Sequence, residues 1–428
     1  MNNLRIIIVT YNWPPRNAIG TFRPYYWAKA WSNQGCILTV LTAQKQTFDE
    51  PLDLNLPILP NVEVIQVPWS NGFHRLVLNI LTPSKIRSLA RKIKNSISQH
   101  TSSPVEPRRG WLNAALPVAR RLASDADIVI STFGPSISHQ LGSAMKQLNP
   151  NLIWVADYRD LWSQAHLVNL TPDQRASIRA TELASVGMHA DLLTAVSEDM
   201  VTKLRSLTGK EVFLAPNGFD IDEDALIARL RIPKQIIQRS LRIVHTGLLY
   251  EGSRNPEPLL LALDELWEEG LIREGVVIVE FYGARIDVAY KLAKNPRYSR
   301  FIRLKGHVPH AQALKAQRDA DVLLLLEDDK EEARGVLTGK IFEYITTGVP
   351  IISIGSKPDF EIPKLLKRTG TGTSFERKER HKLKSFLINL LDGKSAENCH
   401  KPNIYEIIKY SRSRQAEELL RKIISRIQ

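Results

Sequence analysis

Residues Gly335 to Pro350 read GVLTGKIFEYITTGVP and run directly into Ile351, Ile352, Ser353 and Ile354. Gly335 and Gly339 open the stretch, and glycine lets backbone N–H groups approach an anion closely. Ile341, Tyr344 and Ile345 recur at helical spacing and mark a core-facing stripe. The start of that helix directs its positive end toward the same loop. Glu343 falls about one turn in, where a carboxylate can accept hydrogen bonds from a ribose diol. Gly348, Val349 and Pro350 stop the helix and deliver the chain into an apolar strand. Loop, helix and buried strand in this order belong to an α/β domain. Glu343 is then either a nucleotide-sugar ligand or a solvated helix residue.

The same grammar extends in both directions. Leu4 to Val9 is a short β-branched run suited to a buried parallel strand, followed by the loop TYNWPPRNAIG and helical periodicity from Phe22 to Gln34. Further strands are expected at Ile37–Leu41, Val62–Val67, Ile128–Ser131, Leu152–Ala156 and Leu192–Val196. A polar, charged stretch after PNGFD (Pro216 to Asp220) separates these from a second series. That series begins at Ile243 and continues with Val276–Tyr282, Phe301–Leu304, Val322–Leu326 and Ile351–Ile354. Strands alternating with helices predict doubly wound parallel sheets. The expected domains are residues 1–220, a linker over 221–240 and a second domain over 241–403. A charged amphipathic helix over 404–428 is long enough to cross between them. Two such domains facing one another would form a cleft lined by the loops at the carboxyl ends of their strands.

Composition narrows the function classes. The 428 residues are 43% hydrophobic, enough for a large core, and carry a net charge of +13 that calls for an anionic partner. No run approaches the ~18 apolar residues of a membrane span, and the N-terminal IIIV is too short for a signal peptide, so a cytoplasmic location is expected. Cys36 and Cys399 are the two cysteines, without partners at metal-ligand spacing, which argues against a disulfide framework or a zinc site. No GxGxxG follows an expected strand, which speaks against a nicotinamide dehydrogenase. A metal-dependent transferase would need an Asp-x-Asp at a strand end, whereas Asp220-Ile221-Asp222 falls in the expected linker. Nucleic-acid binding has only net charge behind it and is not expected.

Candidate residues come from the loops that follow strands. After the first strand, Gly20, Thr21 and Arg23 read either as a small backbone site beside a cation or as a helix start with a surface arginine. TFGPSISHQLG places His139 on a helix beside Ile137 and Leu141, as a structural or a catalytic histidine. ADYRDLW crowds Asp157, Arg159 and Asp160 against a sheet edge, where charges are paired or functional. In the second half, HTGLLYEGSRNP puts Gly247, Gly252 and Arg254 after a strand, suited to a diphosphate or to a plain glycine turn. PSKIRSLARKIKNSISQ (83–99) forms an apolar stripe ringed by Arg87, Arg91, Lys92 and Lys94. It fits an anionic membrane surface or an ordinary surface helix.

Taken together, the opening IIIVTYNWPPRNAIGTFRPYYWAKAWSNQGCILTVLTA, the central IWVADYRDLWS, ADLLTAVSEDM, APNGFD, HTGLLYEG and GKIFEYITTGVPII resemble the family-4 retaining glycosyltransferases of the GT-B fold. The resemblance implies two Rossmann-like domains facing a central cleft, with a C-terminal helix crossing back. It implies an NDP-sugar donor held mainly by the second domain, a saccharide or lipid-linked acceptor held mainly by the first, and no cofactor or essential metal. By the same resemblance Glu343 matches the second glutamate of a Glu-x7-Glu pattern that binds the donor ribose. Lys340 and Leu337, Thr338 and Gly339 lie beside the diphosphate. Arg254 matches the phosphate-binding cation, with Leu248 where the family's arginine usually follows the glycine Gly247. Gly306, His307 and Val308 meet the nucleobase, Gly20 lies near the donor phosphates, and His139 near the transferred sugar. Gly335 occupies the first glutamate of the pattern, which removes the family's usual contact to the donor sugar. On similar architecture a nucleotide-sugar epimerase, or a non-catalytic saccharide-binding subunit, would share most of these residues.

Overall fold

The structure, a computed structural model, describes residues 3–69, 108–165, 170–231, 241–392 and 400–426. The chain divides into two compact units, Met1–Pro216 with Gln415–Gln428, and Asn217–Arg414. The basic segment 83–99 and Cys399 lie outside the described residues.

Unit 1 is built on seven parallel strands: β1 (Arg5–Val9), β2 (Ile37–Ala43), β3 (Val62–Val67), β4 (Ile128–Thr132), β5 (Ile153–Tyr158), β6 (Leu192–Ala195) and β7 (Val212–Leu214). Their order is β3-β2-β1-β4-β5-β6-β7. Helices α1 (Ile19–Asn33), α2 (Arg109–Ala123), α3 (Ile137–Leu148), α4 (Pro172–Glu182) and α5 (Glu198–Thr208) connect them. β1 shows why its sequence is apolar without a break. Ile6 and Ile8 pack with Trp27, Trp31 and Val40 on one face, while Ile7 and Val9 pack with Leu41, Trp111 and Trp154 on the other. Side chains alternate along a strand, so a run apolar at every position needs both faces covered.

Unit 2 repeats the plan with β8 (Leu241–Thr246), β9 (Val277–Tyr282), β10 (Ile302–Gly306), β11 (Val322–Leu326), β12 (Ile351–Ile354) and β13 (Gly372–Phe375), in the order β10-β9-β8-β11-β12-β13. Its helices are α6 (Glu223–Arg231), α7 (Glu257–Glu268), α8 (Asp287–Ala293), α9 (Pro296–Ser299), α10 (His310–Asp319), α11 (Gly339–Tyr344), α12 (Glu361–Thr369), α13 (Arg380–Leu391) and α14 (Ile404–Ile408). In each sheet the chain winds outward on one side of its first strand and then returns to wind on the other. The switch points lie between β1 and β4 and between β8 and β11. Ligands of open α/β sheets bind at the carboxyl ends of strands at such a point.

Two segments differ from the sequence reading. Part of the expected 221–240 linker is α6, whose Leu226 and Leu230 are buried in unit 2 with Phe219, while 232–240 lies outside the described residues. The expected helix over 404–428 is two helices, α14 and α15 (Arg412–Ile424), broken at Tyr410 and Ser411. There the backbone extends to bridge Phe219: Phe219 N donates to Tyr410 O at 3.0 Å and Arg412 N to Phe219 O at 2.9 Å. Gly218 makes the approach possible, because a Cβ at that position would overlap the Tyr410 carbonyl. Beyond the break Ala416, Leu419, Leu420 and Ile423 of α15 are buried in unit 1 against Trp27 and Trp31. Among the described residues no helix is long and apolar enough to cross a membrane.

Candidate functional site

The unit 2 switch point gathers most of the residues expected in that half. β8 ends at Thr246, and Gly247 turns away with φ +126°, a backbone conformation that side-chain-bearing residues rarely adopt. The aliphatic stem and ammonium of Lys340 lie directly over Gly247, where a Cβ would overlap them. α11 is held on the end of β8 by Tyr344, whose fully buried hydroxyl accepts from Thr246 N at 3.0 Å. One residue earlier, Glu343 points the other way. Its carboxylate accepts from Gln317 Nε2 at 2.8 Å and lies 3.1 Å from His310 Nε2, both on α10. Gln317 is itself buried and also donates to Thr246 Oγ1 at 3.0 Å. The Glu343 side chain remains 35% exposed, so a diol could reach it.

Charge is shared closely across this crevice. Burial works against ionising Glu343, but the bonds from His310 and Gln317, with the charges of His310 and Arg412, hold its carboxyl below the usual range. Burial also lowers Lys340 to about 8; Arg254 adds to that, and Glu327 and Glu343 oppose it. Glu327, directly after β11, is 5% exposed, and burial lifts it to about 7 against the pull of Arg254 and Lys340. Its Oε1 has no hydrogen-bond partner among the described residues. The Arg254 guanidinium lies 5.5 Å from the Tyr250 ring centroid. His245 on β8 is fully buried, with Nδ1 2.9 Å from Leu324 O, and burial followed by the Lys340 charge lowers it to about 3. It is therefore neutral, with Nδ1 carrying the proton that the carbonyl accepts.

The remaining unit 2 candidates vary in placement. Gly339 begins α11 and Thr338 caps it with extended backbone but no side-chain hydrogen bond. α11 has six residues, so few aligned peptide dipoles support the expected anion attraction at its start. The positive charge at the crevice belongs chiefly to Lys340 and Arg254. Leu337 and Val308 pack against the apolar cluster of Ile341, Phe342 and Ile345. Gly306 closes β10 at φ +68°, and His307 is exposed. Gly335 is buried and leaves its position without a carboxylate. Glu327, Gln317, His310 and His245 were not singled out from sequence. The signal for Glu327 was available: a carboxylate ending the apolar run VLLLL.

In unit 1 the candidates are mostly internal. Arg23 Nη2 and Nε bind Asp157 at 2.7 and 3.0 Å, Thr194 Oγ1 donates to the same carboxylate at 2.6 Å, and Arg23 Nη1 donates to Pro216 O at 2.9 Å. Arg23 is thus a core cation and not a surface one. Gly20 lies in the first turn of α1, not in a free loop, and with Gly134 it seats the Arg159 guanidinium, which a Cβ at either position would overlap. Arg159 Nε donates to Phe133 O at 2.9 Å, and Asp160 lies 3.5 Å from Arg159 Nη2. His139 departs most from its expected role. It is fully buried on α3, bonded through Nδ1 to Ser131 Oγ at 2.8 Å and surrounded by Phe133, Trp154, Tyr158 and Trp162. Burial lowers it to about 3, which makes it a neutral packing group.

No protein-family model matches the sequence, and no curated protein matches it. Solved structures do resemble the fold. The lipopolysaccharide outer core galactosyltransferase WaaB, in its apo form, superposes with a TM-score of 0.61 at 12% identity, covering 99% of this chain and 100% of that one. An α,α-trehalose-phosphate synthase (UDP-forming) from Burkholderia vietnamiensis gives 0.60 at 10% identity, covering 100% and 99%. The trehalose-6-phosphate synthase OtsA gives 0.58 at 12% identity, covering 98% and 99%. At such identities the likeness speaks for architecture alone, and the architecture is the GT-B fold, with two Rossmann-like parallel sheets.

Proposed function

We propose that this protein is a retaining, metal-independent glycosyltransferase that moves a sugar from a nucleoside-diphosphate donor to a hydroxyl of a saccharide or lipid-linked acceptor. Cell-surface polysaccharide or glycoconjugate assembly at the cytoplasmic face of the membrane is its setting. The observation that carries this reading is Glu343. It is held ionised by His310 and Gln317, reachable from solvent, and placed on the same switch point as Lys340 and Arg254.

In this reading Glu343 accepts the ribose hydroxyls, while Lys340 and Arg254 face the diphosphate. As the bond from the anomeric carbon to the diphosphate oxygen breaks, its electron pair stays on that oxygen. The acceptor hydroxyl oxygen bonds to the anomeric carbon on the same face, and its proton passes to the leaving phosphate. The two cations stabilise the charge that develops there, a contribution on the order of 10²–10³ in kcat per donor group in comparable sites. An arriving diphosphate also favours the protonated form of Lys340. The donor is found by thermal shift with UDP-, GDP- and ADP-sugars, since a ligand that binds only the folded state raises the melting temperature. With that donor, Glu343→Ala weakens binding at least tenfold by titration calorimetry while the unliganded melting temperature holds. An unchanged donor Kd would sink the assignment.

A second reading is motivated by Gly335, which leaves the transferred sugar without the family's first glutamate. A non-catalytic saccharide-binding subunit would bind donor yet turn over none with any acceptor, and an epimerase would release free product from donor alone.

A further inference from the structure

Unit 1 carries a cluster of charge that the proposed reaction does not use. Tyr11, just past β1, is fully buried and its hydroxyl donates to the Asp49 oxygens at 2.9 and 2.8 Å. Arg16 Nη1 and Arg108 Nη2 lie 3.6 and 3.8 Å from the same Asp49 Oδ1. Their guanidinium carbons stand 5.5 and 4.6 Å from the Tyr11 ring centroid, and Lys45 Nζ stands 5.1 Å from it. Lys45, just past β2, donates to Tyr11 O at 2.7 Å. Three cations therefore converge on one ring and one carboxylate. Arg159 adds to the positive field, with the mostly exposed Asp160 beside it.

Gathering like charges costs stability unless something supplies the opposite sign. The cost is visible in the groups themselves. Burial and then the neighbouring Arg108 lower Arg16, and burial lowers Lys45 to about 7, with Asp49 opposing and Arg16 and Arg108 assisting. Hydrogen bonding leaves the same deficit. Arg108 Nε is buried without a partner among the described residues, as are the indole N–H groups of Trp69 and Trp111, whose rings pack against Tyr11. Each is a donor only, and an unsatisfied buried donor costs about 1–3 kcal/mol. What the cluster lacks is an acceptor bearing negative charge. The Arg16 and Arg108 side chains remain 20% and 25% exposed, so such a group can reach them.

We propose that the carboxyl edge of β1 and β2 binds a phosphomonoester dianion, held by hydrogen bonds from Arg16 and Arg108 and by the charge of Lys45, whose own three N–H bonds go to Tyr11 O, Thr42 Oγ1 and Ala43 O. An arriving anion favours the protonated form of Lys45, and three cations against Asp49 then leave a surplus of two charges, which a dianion cancels and a single carboxylate does not. Tetrahedral phosphate also offers acceptors in several directions to donors that arrive from separate elements. The inference rests on the proposed function only in assigning this phosphate to the acceptor. A soluble sugar phosphate and a lipid phosphate headgroup share the chemistry.

The test is calorimetric titration of the full chain with inorganic phosphate, glycerol 3-phosphate, glycerol and acetate, and flotation with phosphatidic acid or phosphatidylcholine vesicles. Wild type is compared with Arg16→Gln/Arg108→Gln and with Lys382→Gln, an exposed lysine of unit 2 outside both sites. Phosphate and glycerol 3-phosphate bind wild type, the double variant binds them at least tenfold more weakly, and Lys382→Gln binds them as wild type does. If the double variant does not fold, Arg16→Gln alone carries the test, with at least a threefold loss. Flotation only with phosphatidic acid, abolished in the variant, identifies the lipid source; binding of glycerol 3-phosphate without flotation identifies the soluble one. Equal binding of acetate and phosphate, unchanged phosphate affinity in the Arg16 and Arg108 variants, or an equal loss in Lys382→Gln overturns the site. A chain that binds donor but no phosphate loses this inference and keeps the transferase reading. One that binds phosphate through Arg16 and Arg108 but no donor does the reverse.

Discussion

The two switch points solve one packing problem alike and one electrostatic problem differently. At each, glycine omits a side chain so that a cation can lie against the backbone at the strand ends: Gly20 and Gly134 beneath Arg159, Gly247 beneath Lys340. In unit 2 two cations, Arg254 and Lys340, share the crevice with two carboxylates, Glu327 and Glu343. In unit 1 charge is segregated. Arg23 and Asp157 form a closed pair, 5% and 0% exposed, while Arg16, Lys45 and Arg108 share the single Asp49. Topology places charged residues at the same edge of both sheets. Burial and pairing then decide whether they hold the fold together or remain available to a ligand.

The largest expected effect is at the closed pair. Asp157→Ala leaves the Arg23 guanidinium buried beside Thr194 without its counter-charge, and breaking a buried pair from one side costs about 3–5 kcal/mol. Urea unfolding of unit 1 should show that loss. A loss below about 1 kcal/mol would mean that Arg23 is as adaptable as the unit 2 cations, and the contrast between the two edges would fail.

A smaller effect, with a definite sign, is expected at Glu327. Its folded-state carboxyl titrates near 7, above the ordinary 4.5, because burial outweighs the attraction of Arg254 and Lys340. The folded state keeps a proton that the unfolded chain releases, so this group makes unit 2 less stable as pH rises from about 4.5 to 7. The penalty is absent below that window and complete above it. Glu327→Gln removes the carboxyl, so the stability of wild type relative to the variant should fall across those pH values. Parallel urea midpoints for the two proteins from pH 4.5 to 8 would show that burial does not dominate at this residue.

How far these edges could be read in advance depended on what each residue's neighbours in sequence reveal. Val322–Leu326 and Ile351–Ile354 were expected with the bounds they have, because strands covered on both faces are apolar at nearly every position; Val62–Val67, a partly exposed edge strand, was legible from its β-branched residues. β7 and β13 were missed: they are three and four residues at sheet edges, and Gly372-Thr373-Ser374 carries no apolar signature. Glu343, Lys340 and Gly247 were legible as pieces, whereas the bond from Gln317 on a different helix depends on tertiary packing. His139 shows the opposite case. Its position on a helix after a strand was legible, but the rings of Trp154, Tyr158 and Trp162 that enclose it come from β5 and the loop beyond, and burial overrides what local sequence suggests.

The smallest expected effect sharpens the contrast inside a single motif. Asp157, Arg159 and Asp160 lie within four consecutive positions, and the first is a core anion. Asp160 is 62% exposed and 3.5 Å from an Arg159 whose place is already fixed by Phe133 O and by the two glycines beneath it. Exposed pairs are worth about 0–1 kcal/mol because water screens them and long side chains lose freedom in forming them. Asp160→Asn should therefore lower the unfolding free energy of unit 1, read from urea titration, by less than about 1 kcal/mol, several-fold less than Asp157→Ala. A comparable loss from both would mean that Asp160 holds the Arg159 guanidinium over Gly20 and Gly134. The seat would then be electrostatic and not steric.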